Sequence, residues 1–291
     1  MRIWFNKTFS TIGAVFRNLR QSVPAGEVTL ICTHTHLTAA AFLAADESHL
    51  EPVELTGQAY VEWCVDFCHQ HNINLFWPGK EAALISKYHV LFQAIGVQVL
   101  SVADYHTLTL LVSVFGLGFR VLDTQRDSIT QLLKGVEYQI PLQELRQGMN
   151  NTPEFATLLV MEHLGGPEWS VDCAGRHGEL ICAVQRKKSP LAGHGQTIDN
   201  NVDIQGMVTR LTAYYRLNGL FNIQFKEGVN GPSLLEINPR PSGGFGMACL
   251  SGANLAYIAL QGIKGSAVQP PVIRYGLRVT EINTPVVLQE L

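Results

Sequence analysis

The chain has 291 residues, 46% hydrophobic and 15% charged, so it can bury a large core arranged in two or three lobes. Its 21 basic and 24 acidic residues give a net charge of −3, which offers no electrostatic basis for binding nucleic acid or an anionic membrane. No apolar run reaches membrane-spanning length, and the residues after Met1 lack the apolar core of a signal peptide. We therefore expect a cytoplasmic protein without nucleic-acid or membrane partners.

Predicted strands and helices alternate through the first third of the chain, which is typical of a parallel α/β domain over residues 1–106. His34 and His36 lie at the carboxyl end of the second strand, where open α/β sheets bind ligands, so they are either loop residues or substrate contacts. The predicted strands are 2–5, 27–32, 75–78 and 97–101, and the predicted helices are 12–21, 38–44, 58–71 and 81–95.

The chain has six cysteines and no CxxC motif, which predicts reduced, buried thiols. One cluster contains Cys64, Cys68, His69 and His71, and it raises the question of a zinc site. The CxxxC spacing instead fits an amphipathic helix whose buried face holds Cys64, Phe67 and Cys68. We expect a helix face here rather than a zinc site.

The middle of the chain contains an apolar strand that runs into a glycine-rich turn. Residues 158–172 read LLVMEHLGGPEWSVD. Glu162 alone would be an ordinary surface carboxylate. Its place between the strand and Gly165-Gly166-Pro167 favours a functional role instead, and the stretch resembles the hinge of a nucleotide-binding family.

A predicted hairpin follows the hinge and ends in three consecutive basic residues. Its strands are expected at 171–174 and 179–185, and Arg186, Lys187 and Lys188 follow the second strand. Basic side chains are mostly solvated. The alternative is that one or two of them face phosphates or an acidic substrate.

The most informative stretch is 234–244, which places a carboxylate, an amide and a guanidinium on alternate positions after an apolar strand. Because successive strand side chains point to opposite faces, Glu236, Asn238 and Arg240 should project together. Gln224 can reach the same place from the preceding strand. By itself such an alternation more often marks the solvated face of an edge strand. Together these residues offer oxygen ligands for Mg²⁺ and a cation for a phosphoryl group.

The stretch 158–172 followed by the stretch 234–244 resembles the ATP-grasp superfamily, whose hinge and metal-binding strand occur in this order. The Gln/Glu/Asn set is similar to that of its carbamoyl-phosphate-synthetase-like members. The resemblance implies an ATP-grasp α+β nucleotide-binding domain after the N-terminal domain, with its C-terminal lobe at 149–291 and helices at 204–217 and 253–261. It implies adenine contacts by Glu162, His163 and Leu164; a ribose contact by Glu168; Mg²⁺ or Mn²⁺ binding by Gln224, Glu236 and Asn238; and phosphate-directed charge from Arg240, Arg186 and Lys187.

The chain departs from the family pattern at 107–148, which resembles only a remnant of the small ATP-grasp lobe. Residues 107–113 resemble the approach to the first helix of that lobe, and Gly116 and Gly118 resemble the far end of its phosphate loop. A segment near 113–115 is therefore expected to be missing. The first phosphate lysine of the family has no candidate in this chain.

Three interpretations of this departure compete. The natural chain carries a mobile lid that the sequence omits, or the lid is truly deleted, or residues 108–119 form one apolar strand and turn. Consecutive Cα atoms are about 3.8 Å apart, and the first interpretation predicts a much longer gap between two of them in the stretch from Leu111 to Gly116. The second favours a protein that binds nucleotide without catalysis. The third conflicts with Gly116 and Gly118, which are poor strand formers.

The resemblance implies an ATP-dependent ligase that activates a carboxylate as an acyl phosphate for attack by an amine, forming ADP and phosphate. The alternative is a non-catalytic regulatory or scaffold protein that binds nucleotide with the same fold. The chain also looks like stand-alone ATP-grasp proteins of bacterial biosynthetic clusters, some near tellurium-resistance genes. The carboxylate and the amine are not identified by any motif, and a homodimer stays open.

Overall fold

A computed structural model of the chain describes residues 1–6, 11–115, 121–123, 139–152, 154, 162–189, 195–266, 268–282 and 287. Within these ranges the strands form a parallel sheet of five strands, an antiparallel sheet of six strands and a sheet of two strands. Helices accompany all three sheets. The mixed α/β fold predicted from the sequence is confirmed.

The first sheet belongs to the N-terminal domain, and its strands are all parallel in the order β3-β2-β1-β4-β5. Helices connect the strands, as parallel pairing requires. The elements are β1 (Arg2–Asn6), α1 (Ile12–Ser22), β2 (Thr29–His34), a 3₁₀ helix (Ala40–Ala44), β3 (Glu47–Leu50), α2 (Gly57–Gln70), β4 (Leu75–Trp77), α3 (Ala82–Lys87), α4 (His89–Ala94) and β5 (Gln98–Val99).

Two details of this domain differ from the sequence prediction. The helix expected at 81–95 is two short helices, because Tyr88 between them has φ −99° and ψ 22°, outside the helical region. The edge strand β3 was not predicted. Its sequence, Glu-Ser-His-Leu, is polar and short, so it lacks the apolar run that marks a buried parallel strand.

The segment after the N-terminal domain begins with an unbroken helix, α5 (Tyr105–Phe115). The Asp104 carboxylate accepts a hydrogen bond from the Thr107 amide at its start, and Leu108 and Leu111 are buried one turn apart. The interpretation of this stretch as a strand is therefore wrong as far as Phe115, whereas the missing segment near 113–115 stays a prediction. Gly116 and Gly118 lie outside the described residues.

The same segment continues with a parallel strand pair, β6 (Val121–Asp123) and β7 (Gln139–Pro141), and with α6 (Leu142–Asn151). The C-terminal lobe follows as an antiparallel sheet in the order β12-β11-β8-β9-β10-β13. Its elements are β8 (Glu168–Arg176), β9 (Glu179–Lys188), β10 (Gln196–Asp199), α7 (Val202–Tyr214), β11 (Gly219–Gly228), β12 (Gly231–Asn238), α8 (Phe245–Cys249), α9 (Leu255–Ile263) and β13 (Arg278–Val279).

The antiparallel sheet is covered on both faces. On one face, Val171, Ile223 and Ile237 pack against α5 and α7. On the other face, α9 packs on the sheet and also on α1 of the N-terminal domain, so that both parts of the chain share one hydrophobic core. This shared core fixes the C-terminal sheet relative to the parallel sheet.

The predicted burial is confirmed for five of the six cysteines, and Cys249 is half-buried. All six cysteines are free, and Cys64, Phe67 and Cys68 lie on the buried face of α2. Burial raises the pKa of the Cys64 and Cys68 thiols well above the usual range, so both thiols are protonated at neutral pH. None of the helices in the described ranges combines the length and apolar character that a bilayer crossing would require.

Candidate functional site

A row of polar side chains crosses four adjacent strands of the antiparallel sheet on one face. Gln224 of β11 pairs with Glu236 of β12 on one side and with Ser170 of β8 on the other. Ser170 in turn pairs with Arg186 of β9. Directly opposed residues on neighbouring strands share a face, so the register alone brings these four side chains into one line.

The predicted metal ligands meet at one end of this row. Glu236 Oε1 accepts hydrogen bonds from the side-chain amides of Gln224 and of Asn238, the latter at 2.7 Å. All three residues are half-buried. A half-turn of each amide would replace its N–H donor by a carbonyl oxygen, which gives one carboxylate and two neutral oxygens. This donor set fits a hard cation such as Mg²⁺, which also retains water and substrate phosphate oxygens.

The side chains of β12 alternate between the two faces of the sheet as far as Asn238, as predicted. Ile237 is fully buried in the core on the opposite face. A β-bulge opposite Gln224 and Phe225 adds one residue to β12, so Glu236 still faces Gln224 although the pairing shifts behind it. Arg240 lies past the end of the strand, is exposed, and its Nη1 donates to the Pro241 carbonyl at 3.2 Å.

Arg186 lies at the other end of the row and is almost completely buried. Its Nε and Nη2 donate to Asp172 Oδ2 at 2.9 and 2.7 Å, and Nη2 also donates to Ser170 Oγ at 3.0 Å and to Ser242 Oγ at 2.7 Å. Nη1 donates to Gln196 Oε1. Each guanidinium nitrogen thus has a protein acceptor. The contacts describe a buried ion pair that anchors the loop after β12.

That loop approaches the guanidinium closely. Ser242 donates its amide to Asp172 Oδ1 at 3.3 Å, and a Cβ added to Gly244 would overlap the Arg186 guanidinium. Only glycine fits there, because the loop lies directly over a buried charge. The Ser-Gly-Gly sequence after β12 therefore seats the loop on the sheet.

The hinge packs against the end of β11. The Gly166 amide donates to the Glu227 carbonyl at 2.9 Å, and the Glu227 amide donates to the Pro167 carbonyl at 2.8 Å. Leu164 is buried, whereas Glu162 and His163 are exposed. Two predicted adenine contacts are thus open to solvent beside a backbone held in place by β11.

Lys187 and Glu168 lie on opposite faces of the sheet. The Lys187 ammonium lies 5.0 Å from the centre of the Trp169 ring, on the face away from the predicted metal ligands. Glu168 lies on the face that carries Gln224, Glu236 and Asn238, the ligand face, and forms an ion pair with Lys188. The predicted ribose contact therefore has a cationic partner, and Lys187 is separated from the other predicted site residues.

Comparisons with known proteins bear on the fold of the chain. Residues 154–285 match the family model described as "ATP-grasp in the biosynthetic pathway with Ter operon". A comparison with curated proteins found no match. Solved structures with similar folds cover 92–94% of the chain at TM-scores from 0.55 to 0.60. The chain therefore has the ATP-grasp fold.

Three of these ATP-grasp structures illustrate the similarity. N5-carboxyaminoimidazole synthetase from Staphylococcus aureus is 10% identical, with a TM-score of 0.60 and 92% of this chain and 78% of that chain covered. The biotin carboxylase domain of Hydrogenobacter thermophilus 2-oxoglutarate carboxylase is 12% identical, with a TM-score of 0.59 and coverages of 94% and 72%. Pyruvate carboxylase from Rhizobium etli is 12% identical, with a TM-score of 0.56 and coverages of 94% and 25%, so this chain spans a quarter of its length.

The ATP-grasp sheet also contains polar residues on the ligand face that the sequence prediction missed. Asn222 is buried next to Asn238, and its Oδ1 has no hydrogen-bond partner among the described residues. Lys226 continues the same alternation on β11 and pairs with Glu168 in register. The signal was available, since Asn222, Gln224 and Lys226 alternate through an otherwise apolar strand.

Proposed function

We propose that the protein is an ATP-dependent ligase that activates a carboxylate as an acyl phosphate, which an amine then attacks. The observation that carries the proposal is the meeting of Gln224, Glu236 and Asn238 on one face of an ATP-grasp sheet. The buried Arg186 supports the same face by anchoring the loop that follows the metal strand. Without such a function, a cluster of polar side chains on an apolar strand would only cost folding free energy.

In the proposed site, Gln224, Glu236 and Asn238 would hold Mg²⁺, or Mn²⁺ in its place. When bound, the cation would neutralise charge on the transferring phosphoryl group. One carboxylate with two amides leaves net positive charge on the ion, which suits a site that must also attract triphosphate oxygens. Arg240, exposed at the end of the strand, would add a cation beside the substrate phosphates.

The other predicted residues would position the nucleotide. The backbone at Glu162, His163 and Leu164 would meet the adenine edge, and Glu168 would accept hydrogen bonds from ribose hydroxyls after exchanging its partner Lys188. Lys188 and Lys226 would then be available on the ligand face for phosphate oxygens. Arg186 would help to position the nucleotide through the loop that it anchors. Lys187 would act indirectly, through its contact with Trp169.

The reaction needs no side-chain nucleophile. A carboxylate oxygen attacks the γ-phosphorus of ATP, and the bond from phosphorus to the β-bridging oxygen breaks to release ADP. An amine then attacks the acyl carbon, loses a proton, and displaces inorganic phosphate. Bicarbonate belongs among the candidate carboxylates, because the biotin carboxylase structure named above was solved with MgADP, ADP and bicarbonate.

Hydroxylamine trapping tests this chemistry without knowledge of the natural amine. The full chain is incubated with Mg·ATP, hydroxylamine and a panel of carboxylates that includes bicarbonate, and hydroxamate, ADP and phosphate are measured. For organic carboxylates that the site accepts, we expect ADP and phosphate to form in step with hydroxamate. For bicarbonate, we expect them to form in step with carboxylation of hydroxylamine. Formation of AMP and pyrophosphate would instead indicate an adenylating enzyme and contradict the proposal.

Matched variants connect the activity to the site. Glu236→Ala should abolish Mg·ATP-dependent turnover, because it removes the one carboxylate of the cluster and little core volume. Asn238→Ala should act in the same direction but less strongly, since a neutral amide contributes less charge. Glu179→Ala removes an exposed carboxylate from β9 and should leave turnover unchanged. Wild-type activity in Glu236→Ala would show that the catalytic metal does not bind at this site.

A non-catalytic nucleotide-binding protein is the second candidate function. The sequence favours it, because the first phosphate lysine of the family has no candidate in this chain. Calorimetry with Mg·ADP and with Mg·ATP separates the two. Tight binding of both nucleotides without turnover on any carboxylate would support the second candidate and contradict the first.

A further inference from the structure

A cluster of metal-ligating side chains lies at the outer edge of the N-terminal sheet, away from the ATP-grasp site. Glu47 and His49 alternate on the edge strand β3, and His71 directly follows α2. One ligand atom from each residue can be chosen so that all three lie within 4.8 Å of one another. In the sheet, Glu47 pairs with Ile31 of β2 and His49 pairs with Thr33.

Ring contacts hold both imidazoles in place. The His49 and His71 ring centres are 4.3 Å apart, and Phe67 stacks on His71 at 4.1 Å. Phe67 also meets the His49 ring edge-on at 5.5 Å. An aromatic wall thus fixes two imidazoles side by side, which reduces the conformational entropy that ion binding would cost.

One nitrogen of this cluster has an unmet hydrogen-bonding requirement. His49 Nε2 is inaccessible to solvent and has no hydrogen-bond partner among the described residues. Its nearest acidic neighbour, Glu47 Oε2, is 3.8 Å away, which is too long for a hydrogen bond. Buried nitrogens without partners are rare and costly. A cation between the nitrogen and the carboxylate would satisfy both.

Arg2 prepares the carboxylate for such a role. Its two terminal nitrogens donate to both Glu47 oxygens at 2.7 and 2.6 Å, and its Nε donates to the His71 carbonyl at 2.7 Å. Each carboxylate oxygen keeps a second lone pair. Hydrogen-bonded carboxylates with a fixed orientation are typical outer-shell arrangements of metal sites. Arg2 therefore fixes both the carboxylate ligand and the end of α2.

We propose that Glu47, His49 and His71 bind a first-row divalent cation, with zinc as the best match. Two imidazoles and one carboxylate suit zinc and related ions, whereas magnesium prefers oxygen ligands alone. Ligand atoms around a tetrahedral zinc lie about 3.4 Å apart, so the present spacing needs only small side-chain rotations. The ion would tie the edge strand to the end of α2 and leave a fourth position for water.

Zinc and cobalt titrations of the untagged full chain test the site. After removal of metals with a chelator, Zn²⁺ should bind at one equivalent, and Co²⁺ should give the visible absorption of a tetrahedral site. His49→Ala and His71→Ala should each weaken Zn²⁺ binding by more than about tenfold. His49→Gln serves as a second, size-conserving variant, and circular dichroism checks the fold of each protein.

Two controls make the result decisive. His69→Ala removes an exposed histidine two residues from His71 and should leave Zn²⁺ affinity unchanged. Glu236→Ala should also leave it unchanged, because that residue belongs to the other sheet. Equal Zn²⁺ affinity in wild type and in folded His49→Gln and His71→Ala would overturn the proposal. So would loss of Zn²⁺ binding in Glu236→Ala alone.

Discussion

At the scale of single residues, the proposed metal site carries one carboxylate between two amides. Gln224→Glu adds a second negative charge next to Glu236. We expect this variant to bind Mg²⁺ more tightly than wild type. Without Mg²⁺, the like charges should destabilise the protein by up to about 4 kcal/mol, because they lie close together in a half-buried place.

Thermal unfolding with Mg²⁺ and with a chelator measures both effects. The Mg²⁺-dependent rise in Tm should be larger in Gln224→Glu than in wild type. Gln58→Glu is the matched control, since Gln58 donates to Glu62 at 3.0 Å on the exposed side of α2 and the substitution also creates a like-charge pair. If both variants respond equally to Mg²⁺, the cluster at Gln224 is not the magnesium site.

Arg186 shows how a residue chosen for one role can have another. The sequence left open whether Arg186 is solvated or faces phosphates, but its guanidinium is buried and donates to Asp172, Ser170, Ser242 and Gln196. Sequence reasoning could not show this, because Asp172 and Ser242 meet Arg186 only after three strands and a loop assemble. The contacts favour anchoring of the loop over a direct contact with phosphate.

Asp172→Ala tests the anchoring role. Removing one partner leaves the Arg186 charge buried and unpaired, which should lower the free energy of unfolding by about 3–5 kcal/mol. Arg20→Ala breaks an exposed ion pair with Asp46 and should cost about 1 kcal/mol or less. Urea unfolding measures both. A cost for Asp172→Ala no larger than that for Arg20→Ala would contradict a structural role for the buried pair.

At the scale of secondary structure elements, the strands that carry the candidate site were predictable, whereas three short strands, β3, β10 and β13, were not. β11 and β12 combine apolar residues with polar residues at alternate positions, so period and face were both readable. β3, β10 and β13 are short edge or near-edge strands, whose pairing is decided by neighbours distant in sequence. The Glu47/His49 cluster was missed for this reason, because it depends on β3.

The hinge is a second element with a clear requirement. A Cβ on Gly166 would lie 2.7 Å from Glu227 Cβ and 2.8 Å from its carbonyl oxygen, whereas a Cβ on Gly165 would meet nothing within 4 Å. Gly166→Ala should therefore separate the hinge from β11, and Gly165→Ala should not. If the hinge contacts adenine, Gly166→Ala should weaken Mg·ADP binding by about fivefold to tenfold through lost backbone hydrogen bonds.

Isothermal titration of both glycine variants with Mg·ADP measures the effect. The two substitutions are adjacent and chemically identical, so any difference between them reports the contact with Glu227. Unfolding experiments run in parallel account for a general loss of stability. Equal Mg·ADP affinity in Gly165→Ala and Gly166→Ala would exclude this hinge from nucleotide binding.

At the scale of the whole molecule, the N-terminal domain and the C-terminal lobe are joined by α9. Asn254, at the start of α9, donates to the Asn18 carbonyl at 2.5 Å and to Ser22 Oγ at 2.8 Å, both in α1. Leu255 is fully buried in the core that both parts share. The domain boundaries predicted from the sequence remain a prediction. The shared core suggests that the two parts depend on each other for stability.

Leu255→Ala tests this dependence. The substitution should lower the free energy of unfolding by about 2–5 kcal/mol, as expected for a leucine truncated in a packed core. Because the core spans both parts, peptides from β2 and from β8 should lose hydrogen-exchange protection at the same urea concentration, in wild type and variant alike. Two separate transitions, with only the β8 peptides shifted by Leu255→Ala, would show that the lobes unfold independently. In that case, ligand binding in the C-terminal lobe would not stabilise the N-terminal domain.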